Sequence, residues 1–220
     1  AMTFDTDDED RVPDELRSGD RPRLDSDPRM LPVRISRLKK MGQSPAHYRE
    51  GCRYGDGAGE TLSLKLGNVT DAVVFDKPRV LWDRKTKTGR TSPKAGKDWI
   101  AFQAEHAGKV IMSPKEEREA NGMATALRGN QRAFPLLFAP SVKMDVGIEW
   151  EFLGRKCSSH LDALTPTAVV DLKTTKSAHP DQFQRQAFWL GYHAQLAFYV
   201  DACKATGLGD RAAYIVAVEN

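Results

Sequence analysis

The chain has 220 residues, 33 Lys and Arg against 30 Asp and Glu, and a formal net charge of +3, enough length to bury a core in one domain. No apolar run approaches the ~18 residues of a membrane span, no basic start precedes an apolar stretch, and Cys52, Cys157 and Cys203 are too scattered for a disulfide framework. A membrane protein, a secretory signal and a disulfide-stapled fold are therefore not expected, and the thiols read as reduced groups of a cytoplasmic protein.

The charge is unevenly spread. Residues 1–29 hold ten acids and five arginines, net −5, so the other 28 bases and 20 acids leave residues 30–220 at +8. That acidic leader has few large apolar residues and is expected to be disordered, ahead of a single domain over 30–220. A basic body keeps a polyanionic partner open. Ser36 can cap a helix over Arg37–Gln43, which Ser44-Pro45 should end. Residues 49–60 read as a glycine-rich loop without phosphate-binding spacing. Leu62, Leu66, Val69 and Val73 predict a helix over 61–75. Residues 83–98 form an exposed basic loop, suited equally to a phosphate backbone or to plain solvation, followed by a short helix around Trp99–Ala107. Ser113-Pro114-Lys115-Glu116 is a capping box opening a helix to about Gly129.

The pattern then switches to period two. Val142, Met144, Val146, Ile148 and Trp150 alternate with other residues and predict a strand over Val142–Trp150, with further strands at Lys156–Ala163 and Ala168–Thr174. Pro180 can open a long helical region over 181–205, and a last strand is expected at Ala212–Val218. The fold class is α/β, a central mixed sheet flanked by helices.

The chemistry concentrates between Asp162 and Lys173. In a strand, Asp171 and Lys173 share a face and Leu172 takes the other. If a hairpin turns near Pro166-Thr167, Asp162 faces Asp171, on the side of Lys173. Proline does not suit a primed two-residue turn, so a longer loop is expected. Opposed carboxylates repel unless something cationic sits between them. Lys173 supplies part of that charge; a hard divalent cation supplies more, with oxygen ligands from both acids and from a carbonyl such as that of Leu172. Asp145, on the preceding strand, could add a third carboxylate. Such a set suits metal-assisted phosphodiester hydrolysis, Lys173 positioning or deprotonating the water. It equally suits a solvated Asp–Lys pair at a strand end, and spacing alone favours neither.

Several ordered segments resemble the PD-(D/E)XK nucleases, with their restriction-endonuclease-like core, and in particular the RecE-like and lambda-exonuclease-related branch. They are ISRLKKMGQSPAHY (35–48), LKLGNVTDAVVF (64–75), the helical region 96–127, DVGIEWEFLGRKCSSHLDAL (145–164), and VVDLKTT (169–175) leading to GYHAQLAFY (191–199). The resemblance implies that Asp162 and Asp171 bind Mg²⁺ or Mn²⁺ and that Lys173 is the catalytic lysine. It places Gln195 and Tyr199, four apart on one helical face, beside the active centre. It also puts Asp71 where relatives carry a metal-binding histidine, Asp145 where they carry a glutamate, and Ser158-Ser159-His160 where a basic residue is common. The implied partner is DNA, at double-stranded ends, with a recombination or repair context, a recombination partner protein and a homo-oligomer as further expectations. Two alternatives stay open: a catalytically weakened module that binds DNA or a protein partner, and an endonuclease of the same fold.

Overall fold

The helix starts at Thr61 and Ser113 follow the capping chemistry written in the chain. The computed structural model describes residues 31–54, 61–86, 88–90 and 92–220. The expected leader 1–29 and the end of the glycine-rich stretch lie outside the described residues. Among the described residues, no helix is long and apolar enough to cross a membrane.

The described residues divide into two compact units, one of 31–54 with 149–159 and one of 61–148 with 160–220. The first holds α1 (Ile35–Met41) and α2 (Pro45–Tyr54). The first helix ends before Ser44-Pro45 as expected, but a new helix, α2, begins at Pro45 and runs through the first part of the loop expected from 49. Proline is tolerated there because its missing N–H has no intrahelical partner to lose. The Ser44 hydroxyl accepts from the His47 amide at 3.2 Å and contacts His47 Nδ1 at 2.7 Å, closing the new helix start. Val33 bridges in parallel to Cys157 in the same unit, its amide donating to Lys156 O at 2.8 Å.

The second unit carries the main core. Thr61 caps α3 (Leu62–Val74) by accepting from the Leu64 amide. Ser113 and Glu116 complete the expected capping box on α5 (Pro114–Gly129). Two short parallel strands, β1 (Arg79–Leu81) and β2 (Val110–Met112), flank α4 (Gly96–Glu105). Both strands escape sequence reading, being only three residues long. The stretch before α4 is also less open than expected: Lys94 is half-buried, bonded to Glu116 at 2.9 Å and to Ile111 O at 3.1 Å. Arg84 pairs with Asp98 at 2.6 Å. Lys87 and Thr91, in the same stretch, lie outside the described residues.

After the short α6 (Phe134–Leu137) come β3 (Lys143–Phe152), β4 (Arg155–Leu164), β5 (Ala168–Thr175), α7 (Pro180–Trp189), α8 (Tyr192–Ala205) and β6 (Ala212–Glu219). The four strands form one mixed sheet in the order β3-β4-β5-β6, β5 antiparallel to β4 and parallel to β6. Val170, Leu172, Val216 and Val218 bury against α3 and α5 residues such as Val69, Val73, Met123 and Leu127. Because strand side chains alternate, that packing directs Asp171 and Lys173 to the opposite face, toward α8. The single long helix expected over 181–205 is two helices. Gly191 sits at φ 62°, ψ 37°, a left-handed conformation that interrupts the helical ladder and re-aims the chain.

The β4–β5 connection is longer than a two-residue turn, as expected, yet tight. Only Thr165, Pro166 and Thr167 separate the strands, and the Thr165 amide donates to Ala168 O at 2.9 Å. The return bond goes to a side chain: the Thr165 hydroxyl accepts from the Ala168 amide at 2.8 Å and from the Thr167 amide at 3.2 Å. The hydroxyl thus closes a tight connection that proline excludes from the primed turn types. Thr165→Val should lower the melting temperature by about 3–6 °C, the cost of a lost acceptor for a buried amide, while Thr165→Ser should melt near wild type.

Candidate metal-assisted hydrolysis site

The closed hairpin sets the register of the acids. Leu164 pairs with Val169 and Ala163 with Val170, which brings Asp162 opposite Asp171 at the next step. There the Asp162 carboxylate, not a strand carbonyl, takes the Leu172 amide, at 2.8 Å. Asp171 is 1% exposed. Its Oδ1 accepts from Gln195 Nε2 at 3.0 Å, and the same nitrogen lies 2.9 Å from the Tyr199 hydroxyl. Its Oδ2 has the Lys173 ammonium at 2.5 Å but completes no aligned hydrogen bond. The Lys173 Nζ also lies 5.2 Å from the centre of the Tyr192 ring.

The electrostatics follow from crowding three acids in a poorly hydrated space. Burial, then the nearby Asp171 charge, lifts the Asp162 carboxyl to about 6. Burial, then Asp162, lifts Asp71 to about 7, with Lys77 and Lys173 acting in the opposite sense. Burial would lower the Lys173 ammonium, but Asp171 and Asp162 outweigh it and hold the group above its ordinary value. Tyr199 is pushed up to about 12 by burial and by Asp171. Acids held partly neutral by burial, and secondarily by mutual repulsion, are a recurrent property of ion-binding and catalytic sites.

The expected site residues therefore fall into two groups. Asp162, Asp171, Leu172, Lys173, Gln195 and Tyr199 come together, with Asp71 at electrostatic range on α3. Asp145 is engaged elsewhere: exposed, at φ 57°, it pairs with Lys77 and with His160, both at 2.7 Å. Those two contacts hold its carboxyl below the usual range. A positive φ at a non-glycine residue is a strained, left-handed conformation that departs from regular strand geometry. Among the described residues, no three His, Cys, Asp or Glu side chains are gathered closely enough to hold an ion by themselves. Lys77 was missed in the sequence because it follows a helix end and belongs to no strand pattern. Tyr192 was missed because the helix break that mounts it was read as continuous helix. The glycine just before it was the available signal.

The residues fit a hard divalent cation. Two carboxylates brought together by one hairpin, one buried and paired with Lys173 and the other with a raised pKa, are an oxygen donor set of the kind a hard cation takes. Beside Asp71 opens a cleft of about 600 Å³ whose walls include Lys65, Lys77, Lys94, Lys109 and Trp99.

The chain belongs to the family described as a PDDEXK-like domain of unknown function (DUF3799), whose model matches residues 34–220. Its fold is similar to the crystal structure of a "putative exonuclease" from Eubacterium rectale, with a TM-score of 0.54 and 14% sequence identity, over 79% of this chain and 60% of that one. The chain thus spans 60% of the length of that structure, and at this identity the likeness is one of fold. No curated protein matches the chain.

Proposed function

We propose that this chain is a divalent-metal-dependent DNA nuclease that hydrolyses phosphodiester bonds, acting at duplex ends in the manner of the RecE-like exonucleases. The observation that carries the reading is the convergence of Asp162, Asp171 and Lys173 on the β4–β5 hairpin, backed by Gln195 from α8. Membership of a PDDEXK-like family supports nuclease chemistry, and action at ends rests on the resemblance of the chain's segments to the RecE-like branch.

Asp162 and Asp171 would hold Mg²⁺ or Mn²⁺, with Asp71, on α3, adding negative charge at longer range. When bound, the ion supplies positive charge that polarises the scissile phosphate and steadies the leaving oxyanion. The chain's own groups do the rest. Gln195 fixes the Asp171 carboxylate through Oδ1, leaving Oδ2 directed to the centre. Lys173, kept protonated by the two aspartates, donates hydrogen bonds that orient water or a phosphate oxygen; a raised pKa makes it a poor proton acceptor at neutral pH. The lysines around the cleft beside Asp71 suit a phosphodiester backbone.

Linear and covalently closed circular duplexes, incubated with the purified chain and Mn²⁺, test the reading. Loss of the linear form with the circle intact is expected. Cutting of the circle would replace the exonuclease with an endonuclease, and binding to both without cleavage would replace the enzyme with a DNA-binding module.

A further inference from the structure

Resting on the nuclease reading above, we infer that Tyr192 is a positioning residue for Lys173, its ring face holding the ammonium against Asp171. A lysine carries a flexible four-carbon stem and a compact charge, so one carboxylate contact draws the ammonium in without fixing its side of approach. Here the cation has two neighbours of different kinds: Asp171 Oδ2 at 2.5 Å and the Tyr192 ring, whose centre is 5.2 Å away. An aromatic face attracts a cation without competing for its protons, which leaves the ammonium's ion pair with Asp171 intact and its hydrogen bonds free to serve substrate.

The ring is itself held from three directions. Tyr192 is the first residue of α8, directly after the left-handed Gly191, so the helix break sets its orientation. Phe183 of α7 packs on it at 6.3 Å between ring centres. Its hydroxyl bonds to the side chain of Gln186, and Gln186 Oε1 accepts from the Thr175 hydroxyl at 2.8 Å. Thr175 lies on β5, the strand that carries Lys173. The path from β5 through Gln186 and Tyr192 therefore returns to β5, and ring and lysine are referenced to one strand. Nothing in the reaction as described above uses Tyr192, yet it is the aromatic group that touches the lysine.

Two substitutions separate the ring face from the hydroxyl. Tyr192→Phe keeps the face; Tyr192→Leu keeps bulk and removes it, with Tyr192→Met as a second ring-free variant, and thermal melts check folding of each. In chain labelled with ¹³C-lysine, the Lys173 ε-methylene proton signal, assigned by its disappearance in Lys173→Gln, is expected upfield of the other lysines through the ring current. Wild type and Tyr192→Phe should show that displacement and the ring-free variants should lose it. In Mn²⁺-dependent cleavage of linear DNA, kcat should fall about tenfold in the ring-free variants with KM nearly unchanged, and stay near wild type in Tyr192→Phe. A ring-free variant that keeps the upfield signal or the wild-type kcat overturns the inference. So does Tyr192→Phe if it loses as much kcat as Tyr192→Leu, because the hydroxyl would then be the acting group. Wild-type chain that cuts no DNA, yet shows the ring-dependent lysine signal, sinks the nuclease reading and leaves the positioning contact standing.

Discussion

Asp171→Asn should cleave DNA at least about a thousandfold more slowly than wild type, a loss of roughly 4 kcal/mol in transition-state stabilisation. The carboxylate sits where three demands meet. It neutralises Lys173, it is fixed by Gln195, and it presents a buried oxygen with no completed hydrogen bond. An asparagine can keep the Gln195 contact through its amide oxygen but supplies no charge, so ion binding is lost together with cleavage. Removing the charge also relieves Asp162, whose carboxyl is raised in part by Asp171. Lys173→Ala gives the contrast: cleavage falls by a similar factor while the acids keep their oxygens, so Mn²⁺ binding measured by calorimetry should persist. If Asp171→Asn bound Mn²⁺ and cut DNA like wild type, the assignment of this hairpin as the reactive centre would be falsified.

The second large effect is on stability. In the ion-free chain Asp162 and Asp71 titrate at about 6 and about 7 when folded, against about 4 for an unfolded aspartate. Between those limits the folded state holds protons that the unfolded chain has released. The associated stability is fully present below about pH 4, is lost as pH rises through 6 and 7, and is gone above that window. For Asp162 alone the loss is on the order of 3 kcal/mol. Melting temperatures recorded in EDTA should therefore fall from pH 5 to pH 8. Asp162→Asn should flatten that slope, both by removing one titrating group and by relieving Asp71. Mn²⁺ binds deprotonated carboxylates, so it should raise the melting temperature strongly at pH 8 and little at pH 5. An EDTA profile that rises over this range, or an ion effect larger at pH 5, would contradict the site's electrostatics. Glu116 acts in the opposite sense at lower pH. Burial resists its ionisation, but bonds from Lys65, the Ser113 amide and Lys94 hold it at about 2 against an ordinary 4.5, so its contribution is full above about pH 4.5 and is lost as pH falls towards about 2.

What could be read from the chain is what local chemistry dictates. The capping box at Ser113, the cap at Thr61, and the alternating burial that ends at Ile148 and Trp150 are local patterns and lie where the residues place them. The facing of Asp162 and Asp171 was legible because the side-chain period of a strand is two and a hairpin adds only its turn. What sequence reading lost depends on longer-range or less periodic features. The Thr165 closure needs a side chain to stand in for a carbonyl. The break at Gly191 is invisible to hydrophobic periodicity, since one left-handed residue leaves the composition of a helix unchanged. Asp145 follows the alternation on paper, yet a positive φ and the nearby Lys77 and His160 engage it in ion pairs. The chemistry of the site was written in neighbouring residues; its supporting frame, Lys77, Gln186 and Tyr192, was written in how helices pack.

The Thr165 hydroxyl that closes the β4–β5 hairpin also bears on the order of folding. A three-residue connection makes the encounter of Asp162 with Asp171 one of the shortest-range tertiary events in the sheet, whereas β6 must return across α7 and α8 to reach β5. Chain closure over short distances is fast and entropically cheap. On that argument the two like charges would be confined before α8 can bring Gln195. During that interval Lys173, or a proton, is the counter-charge at hand. A fold that assembles its most repulsive pair first carries a charge-dependent step in its folding, and acidity or divalent ions would then set the pace of maturation as well as the final stability.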